Sequence, residues 1–394
     1  MTGAGTGKRL LLLSVSAGNG HVRAAEGLAA GAGHWFPDCV TNHVDLMTLV
    51  PAIFRKTYKD AYLGLVQKHP SLWGLVYEKT DKSGGHSAFS GLRRAIESAS
   101  NRPLLDVIRD FRPDHIICTH FMPLQVLARW RAKGRITSPV WAVITDFKAH
   151  RYWLEPGQAG YFTATEEDAW AIRRRGMRDE CIEPFGIPVM PGFIPPKDPV
   201  AARKAAAAKF GLDPAKTTFL LMGGGAGVGA MRETARELLN MDGNAPGGCR
   251  NDFQLVVLAG RNQSLLKALA QEAASFPRRL FPLGFTSDVH VLLAASDLVI
   301  SKPGGLTTVE SLSMGRPMLA FAPIPGQEEH NADFLLENGA ALKAVDQASL
   351  LWRVRRVLHE PELLPRLSAC AAKLGKPYAA RDILERILGE KAAG

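Results

Sequence analysis

Residues 10–21 read Leu10-Leu11-Leu12-Leu13-Ser14-Val15-Ser16-Ala17-Gly18-Asn19-Gly20-His21. The apolar run Leu10–Val15 falls far short of the ~20 residues of a membrane span. Lys8-Arg9 in front of it would suit a signal peptide, but the run is short and no small-residue cleavage site follows. It reads as a buried strand. A glycine-rich turn comes next, and Val22–Ala32 has the spacing of a helix. Strand, turn and helix in this order form the unit of a parallel sheet covered on both faces. The glycines of the turn let a ligand approach the backbone, and the helix start behind it favours negative charge.

The same rhythm continues outward. His115–Cys118 is strand-like and precedes a helical stretch, Pro123–Arg131. Val140–Thr145 and Gly160–Ala164 are strand-like, and Glu166–Arg175 is helical. From Gly186 to Pro199 the chain carries Pro188, Pro191, Pro195, Pro196 and Pro199, which predicts a stiff linker. A second series follows, with strands at Thr218–Met222, Gln254–Leu258, Leu298–Ser301 and Met318–Phe321. Its helices are expected at Ala230–Leu239, Gln263–Ala274, Val289–Ala294 and Leu306–Met314, with a terminal helix at Pro377–Leu388. The expected class is α/β, with two doubly wound domains. The first covers 1–190, a linker 191–200, the second 201–375, and a C-terminal helix 376–394. Ligands of such domains bind at the carboxyl ends of the strands, here in a cleft that the two domains would face.

A length of 394 residues agrees with two or three domains, and 46% hydrophobic with 22% charged residues excludes wholesale disorder. Lys and Arg outnumber Asp and Glu by 48 − 38 = 10. That balance favours an anionic partner: nucleic acid, an acidic membrane face or a phosphorylated substrate. The five cysteines are scattered without a Cys-x-x-Cys, which speaks against a disulfide framework or zinc knuckle and fits a reducing cytoplasm. One stretch interrupts the α/β rhythm. Phe54, Tyr58, Tyr62 and Leu65 recur at helical spacing beside Arg55, Lys56 and Lys59, and Trp73 follows. An interfacial helix and loop would look like this, and so would a helix with its apolar face in the core.

Two glycine motifs mislead. Gly3–Lys8 resembles a Walker loop, but Arg9 stands where Ser or Thr must meet magnesium, and the motif precedes its strand. Gly225–Ala230 satisfies a loose dinucleotide pattern without a convincing acidic ribose partner. The turns themselves remain informative. Gly223–Gly229 suits a phosphate or diphosphate, and Ser301–Thr308 is a turn of the same type opening a helix that carries Glu310. Glu310 would accept ribose hydroxyls, or simply face solvent. Pro323–Asn331 is densely polar, as a sugar-gripping loop or a merely solvated one would be. His21, at the start of its helix, is a candidate general base or a plain capping histidine. Asp146, in Thr145-Asp146-Phe147-Lys148-Ala149-His150, would line the cleft and orient His21 or an acceptor hydroxyl. Asp146 and His150 lack a third metal ligand. His115 and His120 are assigned structural or acceptor-side roles.

Together these residues resemble a known family. Ser14–Glu26, with Gly18-Asn19-Gly20-His21, resembles the monogalactosyldiacylglycerol synthase domain, as do Thr145-Asp146-Phe147, His150 and Trp153. Gly186-Ile187-Pro188-Val189 matches that domain's exit into the linker. Gly284 through Asn331 resembles the C-terminal domain of glycosyltransferase family 28, on Lys302-Pro303-Gly304-Gly305-Leu306-Thr307-Thr308-Val309-Glu310 and Pro325–Asn331. The first loop departs from the family, which often has three glycines where this chain has Gly18-Asn19-Gly20.

The resemblance implies a GT-B fold, two Rossmann-like domains with the active site between them. It implies an inverting transferase that moves glucose or galactose from UDP-glucose or UDP-galactose to diacylglycerol, in some members processively. Gly224, Gly225, Lys302, Gly304, Gly305 and Thr307 would surround the diphosphate. Phe285 would lie by the uracil, Glu310 on the ribose, and Gln327 with Glu328 on the hexose, with Asn331 in the same donor loop. Gly18, Asn19, Gly20, His150 and Trp153 would form the acceptor side. His21, or Asp146 with it, would take the proton of the acceptor hydroxyl. Helix N-termini would stabilise the departing UDP, so no metal cofactor is expected. Diacylglycerol lives in a bilayer, so Phe54, Arg55, Lys56, Tyr58, Lys59, Tyr62 and Trp73 become expected contacts with an anionic lipid surface. The expected location is cytoplasmic, peripheral on the inner face of the membrane. The competing readings are a UDP-N-acetylglucosamine 2-epimerase, a transferase with a polyprenyl-linked acceptor, and a non-catalytic sugar-nucleotide sensor. A nucleic-acid binder would explain the charge but none of the motifs.

Overall fold

The computed structural model describes residues 7–16, 18–52, 55, 102–223, 228–241, 252–389 and 391–392. They group into two compact units. Residues 1–191, 325–327 and 376–394 belong to the first, and 192–324 and 328–375 to the second.

The first unit is built on six parallel strands: β1 (Arg9–Ser14), β2 (Val40–Asp45), β3 (His115–Cys118), β4 (Val140–Val143), β5 (Gly160–Phe162) and β6 (Ile182–Glu183). Their order is β2-β1-β3-β4-β5-β6. Leu10 to Leu13 have no exposed surface, as a central strand covered on both faces requires. Helix α1 (Asn19–Trp35) follows β1. Gly27 of α1 sits where a Cβ would come within 3.0 Å of the Val189 backbone, so only glycine lets the chain pass this close. Helices α2 (Phe121–Ala132) and α3 (Glu166–Arg174) follow β3 and β5.

The second unit repeats the plan with a different order. Its strands are β7 (Thr217–Met222), β8 (Phe253–Gly260), β9 (Leu280–Gly284), β10 (Leu298–Ser301), β11 (Met318–Phe321) and β12 (Ala341–Ala344), all parallel and arranged β12-β11-β10-β7-β8-β9. The helices are α4 (Pro199–Phe210), α5 (Val228–Leu239), α6 (Gln263–Ala273), α7 (Val289–Ala295), α8 (Gly305–Ser313), α9 (Gln327–Glu337), α10 (Gln347–His359) and α11 (Leu363–Leu374). The last helix, α12 (Ala379–Leu388), packs on α1 of the first unit.

Two expectations need correcting. The proline-rich stretch is not linker throughout. Pro199 opens α4, where Asp198 Oδ1 accepts from the N–H groups of Val200 (3.0 Å) and Ala201 (2.9 Å). Proline loses nothing at a first helical position, whose N–H has no intrahelical partner. The polar loop after β11 also ends earlier than expected, because from Gln327 onward it is helix.

Candidate active site

In open α/β sheets a crevice forms where neighbouring strands send their connections in opposite directions. In the first unit this point lies between β1 and β3. The turn after β1 carries Gly18, Asn19, Gly20 and His21, and the turn after β3 carries Thr119 and His120. Beside them, after β4, stand Thr145 and Asp146. Gly18 has φ 130° and ψ 158°, a conformation essentially restricted to glycine, and no side chain caps α1 behind it.

His21 is held by its Nδ1. That atom lies 3.0 Å from the carbonyl oxygen of Thr119 and 2.6 Å from Thr145 Oγ1. A carbonyl only accepts, which assigns the proton to Nδ1 and leaves the lone pair on Nε2. The Thr119 hydroxyl donates to the His21 carbonyl at 2.8 Å and ties the two turns together. Burial lowers the His21 pKa to about 4, against a smaller upward pull from the Thr119 carbonyl. The ring is therefore neutral at pH 7. His120 meets it edge to face, with centroids 4.6 Å apart. Its own Nδ1 accepts from the Met122 N–H at 3.0 Å, capping α2. Burial, and then His21, push the His120 pKa well down.

Asp146 is 7% exposed, and burial raises its pKa to about 6. Trp153 and the Gln327 amide stabilise its ionised form and partly offset that rise. Gln327 donates to Asp146 Oδ1. Trp153 Nε1 lies near enough to act on the carboxylate without closing a hydrogen bond of normal geometry. The structure thus brings His21 to Thr119 and Thr145, and Asp146 to Trp153 and Gln327. Trp153 is wholly buried, with its ring 6.4 Å from that of His120 and 6.1 Å from that of Phe121, centre to centre. His150 is buried, and its Nδ1 accepts from the Tyr152 N–H at 3.2 Å.

The corresponding point of the second unit lies between β7 and β10. Of the turn after β7, Gly224 and Gly225 lie outside the described residues. The turn after β10 is Lys302-Pro303-Gly304, and α8 starts at Gly305 without a side-chain cap, so its first N–H groups are available to an anion. Thr307 sits in this first turn. Asn331, expected among the donor-binding residues, fastens the turn from behind: its Nδ2 donates to the Pro303 carbonyl at 2.8 Å. Its Oδ1, with Ser301 Oγ and Thr308 Oγ1, is buried without a hydrogen-bond partner among the described residues. Glu328 Oε2 accepts from the Ile324 N–H at 2.7 Å, and its Oε1 lies 3.8 Å from where a Gly304 Cβ would stand. Burial raises the Glu328 pKa, and Lys302 opposes that rise. Glu310 is buried, which removes the solvent-facing alternative. Phe285 is 65% exposed beyond β9, with the Arg261 guanidinium 4.8 Å from its ring centre.

Of the expected membrane contacts, only Arg55, which is exposed, lies among the described residues. Phe54, Lys56, Tyr58, Lys59, Tyr62 and Trp73 lie outside them. Among the described residues no helix is long and apolar enough to cross a membrane, and no cluster of three or more His, Cys, Asp or Glu is placed to hold a metal. Sequence reasoning did not single out Thr119 or Arg261, and it gave Thr145 only within the Thr145-Asp146-Phe147 motif. The available signal was position, since Thr119, Thr145 and Arg261 fall within two residues of a strand's carboxyl end.

The family model described as monogalactosyldiacylglycerol (MGDG) synthase matches residues 21–189. The chain is 30% identical over 392 residues to the probable monogalactosyldiacylglycerol synthase 2, chloroplastic, of Oryza sativa subsp. japonica, covering 96% of this chain and 80% of that one. The chain belongs to the monogalactosyldiacylglycerol synthase family. Within this family it is also 28% identical over 394 residues to the processive diacylglycerol beta-glucosyltransferase of Bacillus subtilis (strain 168), covering 98% and 96% of the two chains. Residues 247–374 match the model for glycosyl transferases group 1, whereas the motifs there resemble family 28. In fold the chain is similar to MurG of Acinetobacter baumannii, with a TM-score of 0.61 at 15% identity over 97% of this chain and 99% of that one. The fold class is that of GT-B proteins, with two Rossmann-like units.

Proposed function

We propose that the protein transfers a hexosyl group from a UDP-sugar to the sn-3 hydroxyl of diacylglycerol, with inversion, giving a β-glycosyldiacylglycerol. One observation carries this reading: nearly the whole chain aligns with proteins named for diacylglycerol glucosyl transfer and monogalactosyldiacylglycerol synthesis. UDP-glucose and UDP-galactose are the candidate donors.

His21 is the proposed base. Its Nε2 takes the acceptor proton as the acceptor oxygen bonds to the anomeric carbon. The bond from that carbon to the UDP oxygen breaks, and UDP leaves with the electron pair. At pH 7 the His21 ring is neutral, so its Nε2 lone pair can take the proton as the new bond forms. The Thr119 carbonyl supports the imidazolium through Nδ1–H. Asp146, ionised, accepts a hydrogen bond from the acceptor and orients it. On the donor side, Lys302 and the open N–H groups of α8 meet the diphosphate charge, so no metal is required. Glu310 and Glu328 serve the ribose and hexose, and Phe285 the uracil. The basic aromatic stretch 54–73 rests on an anionic bilayer at its cytoplasmic face.

The test is transfer of label from radioactive UDP-glucose or UDP-galactose into the organic phase, from vesicles containing diacylglycerol, with EDTA present. Label in glycolipid supports the reading. Label that stays aqueous with both donors, while UDP-N-acetylglucosamine is consumed, overturns it in favour of an epimerase or a polyprenyl-acceptor enzyme.

A further inference from the structure

One helix grips both backbone polar groups of Ala149. The Ala149 N–H donates to Asp168 Oδ1 at 2.7 Å, and its carbonyl accepts from an Arg175 Nη at 3.2 Å. Asp168 stands in the first turn of α3 and Arg175 at its C-cap. The N–H belongs to the 148–149 peptide and the carbonyl to the 149–150 peptide. Two successive planar units are therefore held, and the Ala149 φ and ψ between them are fixed. Asp146 lies three residues before this point and His150 directly after it.

Asp168 is also an unusual residue to bury. It is 4% exposed, and its Oδ2 has no hydrogen-bond partner among the described residues. Helix α3 already carries exposed Glu166 and Glu167 in its first turn, so the helix dipole is met without Asp168. An interior carboxyl with one unused oxygen opposes folding unless it serves another purpose.

We propose that Asp168 and Arg175 are positioning residues that clamp Ala149 and thereby set the Asp146–His150 loop for the reaction. This rests on the reading of Asp146 as part of the acceptor site. The clamp also feels the charge of Asp146. Burial raises the Asp168 pKa to about 7; Asp146 and Glu167 push it further up, and the Ala149 N–H and Arg175 oppose the rise. On the Asp146 side, Trp153 and Gln327 favour the ionised form. Two neighbouring buried carboxyls disfavour double ionisation, and here the later proton stays on Asp168, so Asp146 ionises beside a neutral Asp168.

The experiment compares wild type with Asp168→Asn, Asp168→Ala, Arg175→Ala and Arg175→Lys. Asparagine keeps an oxygen acceptor for the Ala149 N–H, and lysine keeps a donor for its carbonyl. Asp168→Ala and Arg175→Ala are expected to lower kcat about tenfold or more, since small misplacements of reacting groups are costly. Calorimetric affinity for UDP should stay within about twofold, because UDP is assigned to the second unit. Asp168→Asn should recover most of kcat and keep the acid limb of the kcat/KM profile where wild type has it, because Asp168 is already neutral as Asp146 ionises. Alanine variants with wild-type kcat overturn the clamp, and so does an asparagine variant as impaired as the alanine one. Amide hydrogen exchange over residues 146–150 reads the clamp without turnover. Faster exchange in Asp168→Ala, restored in Asp168→Asn, supports it even if wild type moves no sugar to diacylglycerol. Unchanged exchange overturns it, and if the Asp168 variants fail to fold, the two Arg175 variants give the same readout.

Discussion

The two units share a six-stranded parallel plan, yet their crevice turns are made of different chemistry. In the first, His21, His120 and Asp146 gather at the β1, β3 and β4 ends, and burial has moved all three from their ordinary pKa values. In the second, the β10 end offers Gly304, Gly305, Lys302 and an uncapped helix, with Glu328 tied to its own loop. In the proposed function the first arrangement moves a proton, and the second holds an anion. The same topological device serves both because it supplies only a place where turns diverge. The residues that fill it decide the task.

If the division of labour is real, substitutions in the two turns should fail in different measurements. The largest effect is expected from His21→Ala. Loss of a positioned general base costs about 10²–10⁴ in kcat, while UDP binding by calorimetry should hold. Near-full turnover would remove His21 as base. Next comes Lys302→Ala. A charge-assisted hydrogen bond is worth about 1.5–3 kcal/mol, so UDP affinity should fall by roughly 10- to 100-fold with the pH profile unmoved. If UDP affinity is unchanged, the anion is held elsewhere.

A subtler separation lies within the first unit. Asp146 ionises near pH 6 and His21 near pH 4. If Asp146 must be charged, kcat/KM should rise through about pH 6 in wild type. In Asp146→Asn that limb should vanish, leaving a rise near pH 4 on a lower plateau. A wild-type limb near pH 4 would assign the proton chemistry to His21 alone.

The parts of this arrangement that were legible in the sequence follow a physical line. Eight strands announce themselves as apolar runs, and all eight are interior: β1, β3, β4, β5, β7, β8, β10 and β11. The four that gave no such signal, β2, β6, β9 and β12, are the four sheet edges. Interior parallel strands are covered on both faces and so must be continuously apolar. Edge strands are under less demand, and β2 reads Val40-Thr41-Asn42-His43-Val44-Asp45 with no fully buried residue. The site divides in the same way. Glycine turns and His21 were visible because they sit in local strand–turn–helix context. The partners that fix the His21 tautomer were not, because Thr119 and Thr145 are 98 and 124 residues away in sequence. Asn331 was visible in its motif, but not its task of fastening Pro303 from behind.

The smallest expected effect concerns stability, and its sign tests the buried carboxyls directly. Asp168 has a folded pKa of about 7 against an ordinary 3.8. Below about pH 4 it is protonated in both the folded and unfolded chain and has no effect on the balance. Between about pH 4 and 7 the unfolded chain releases the proton while the folded one keeps it, so stability falls as pH rises. Above pH 7 both forms are ionised and the loss is complete. Asp168→Asn has no such proton to release. Its stability relative to wild type should therefore improve steadily from pH 4 to 7 and then level off. The full gain is on the order of a few kcal/mol at most, or several degrees in Tm, reduced by the amide hydrogens that replace Oδ2 without a partner. A parallel series on Lys302→Ala should trend the other way. Without the cation that opposes the Glu328 rise, this buried carboxyl is harder to ionise in the folded chain, and the variant loses stability relative to wild type as pH rises. Equal pH trends in the two variants would dissolve the contrast between the units, and a trend of opposite sign in Asp168→Asn would mean that Asp168 is held ionised by its neighbours.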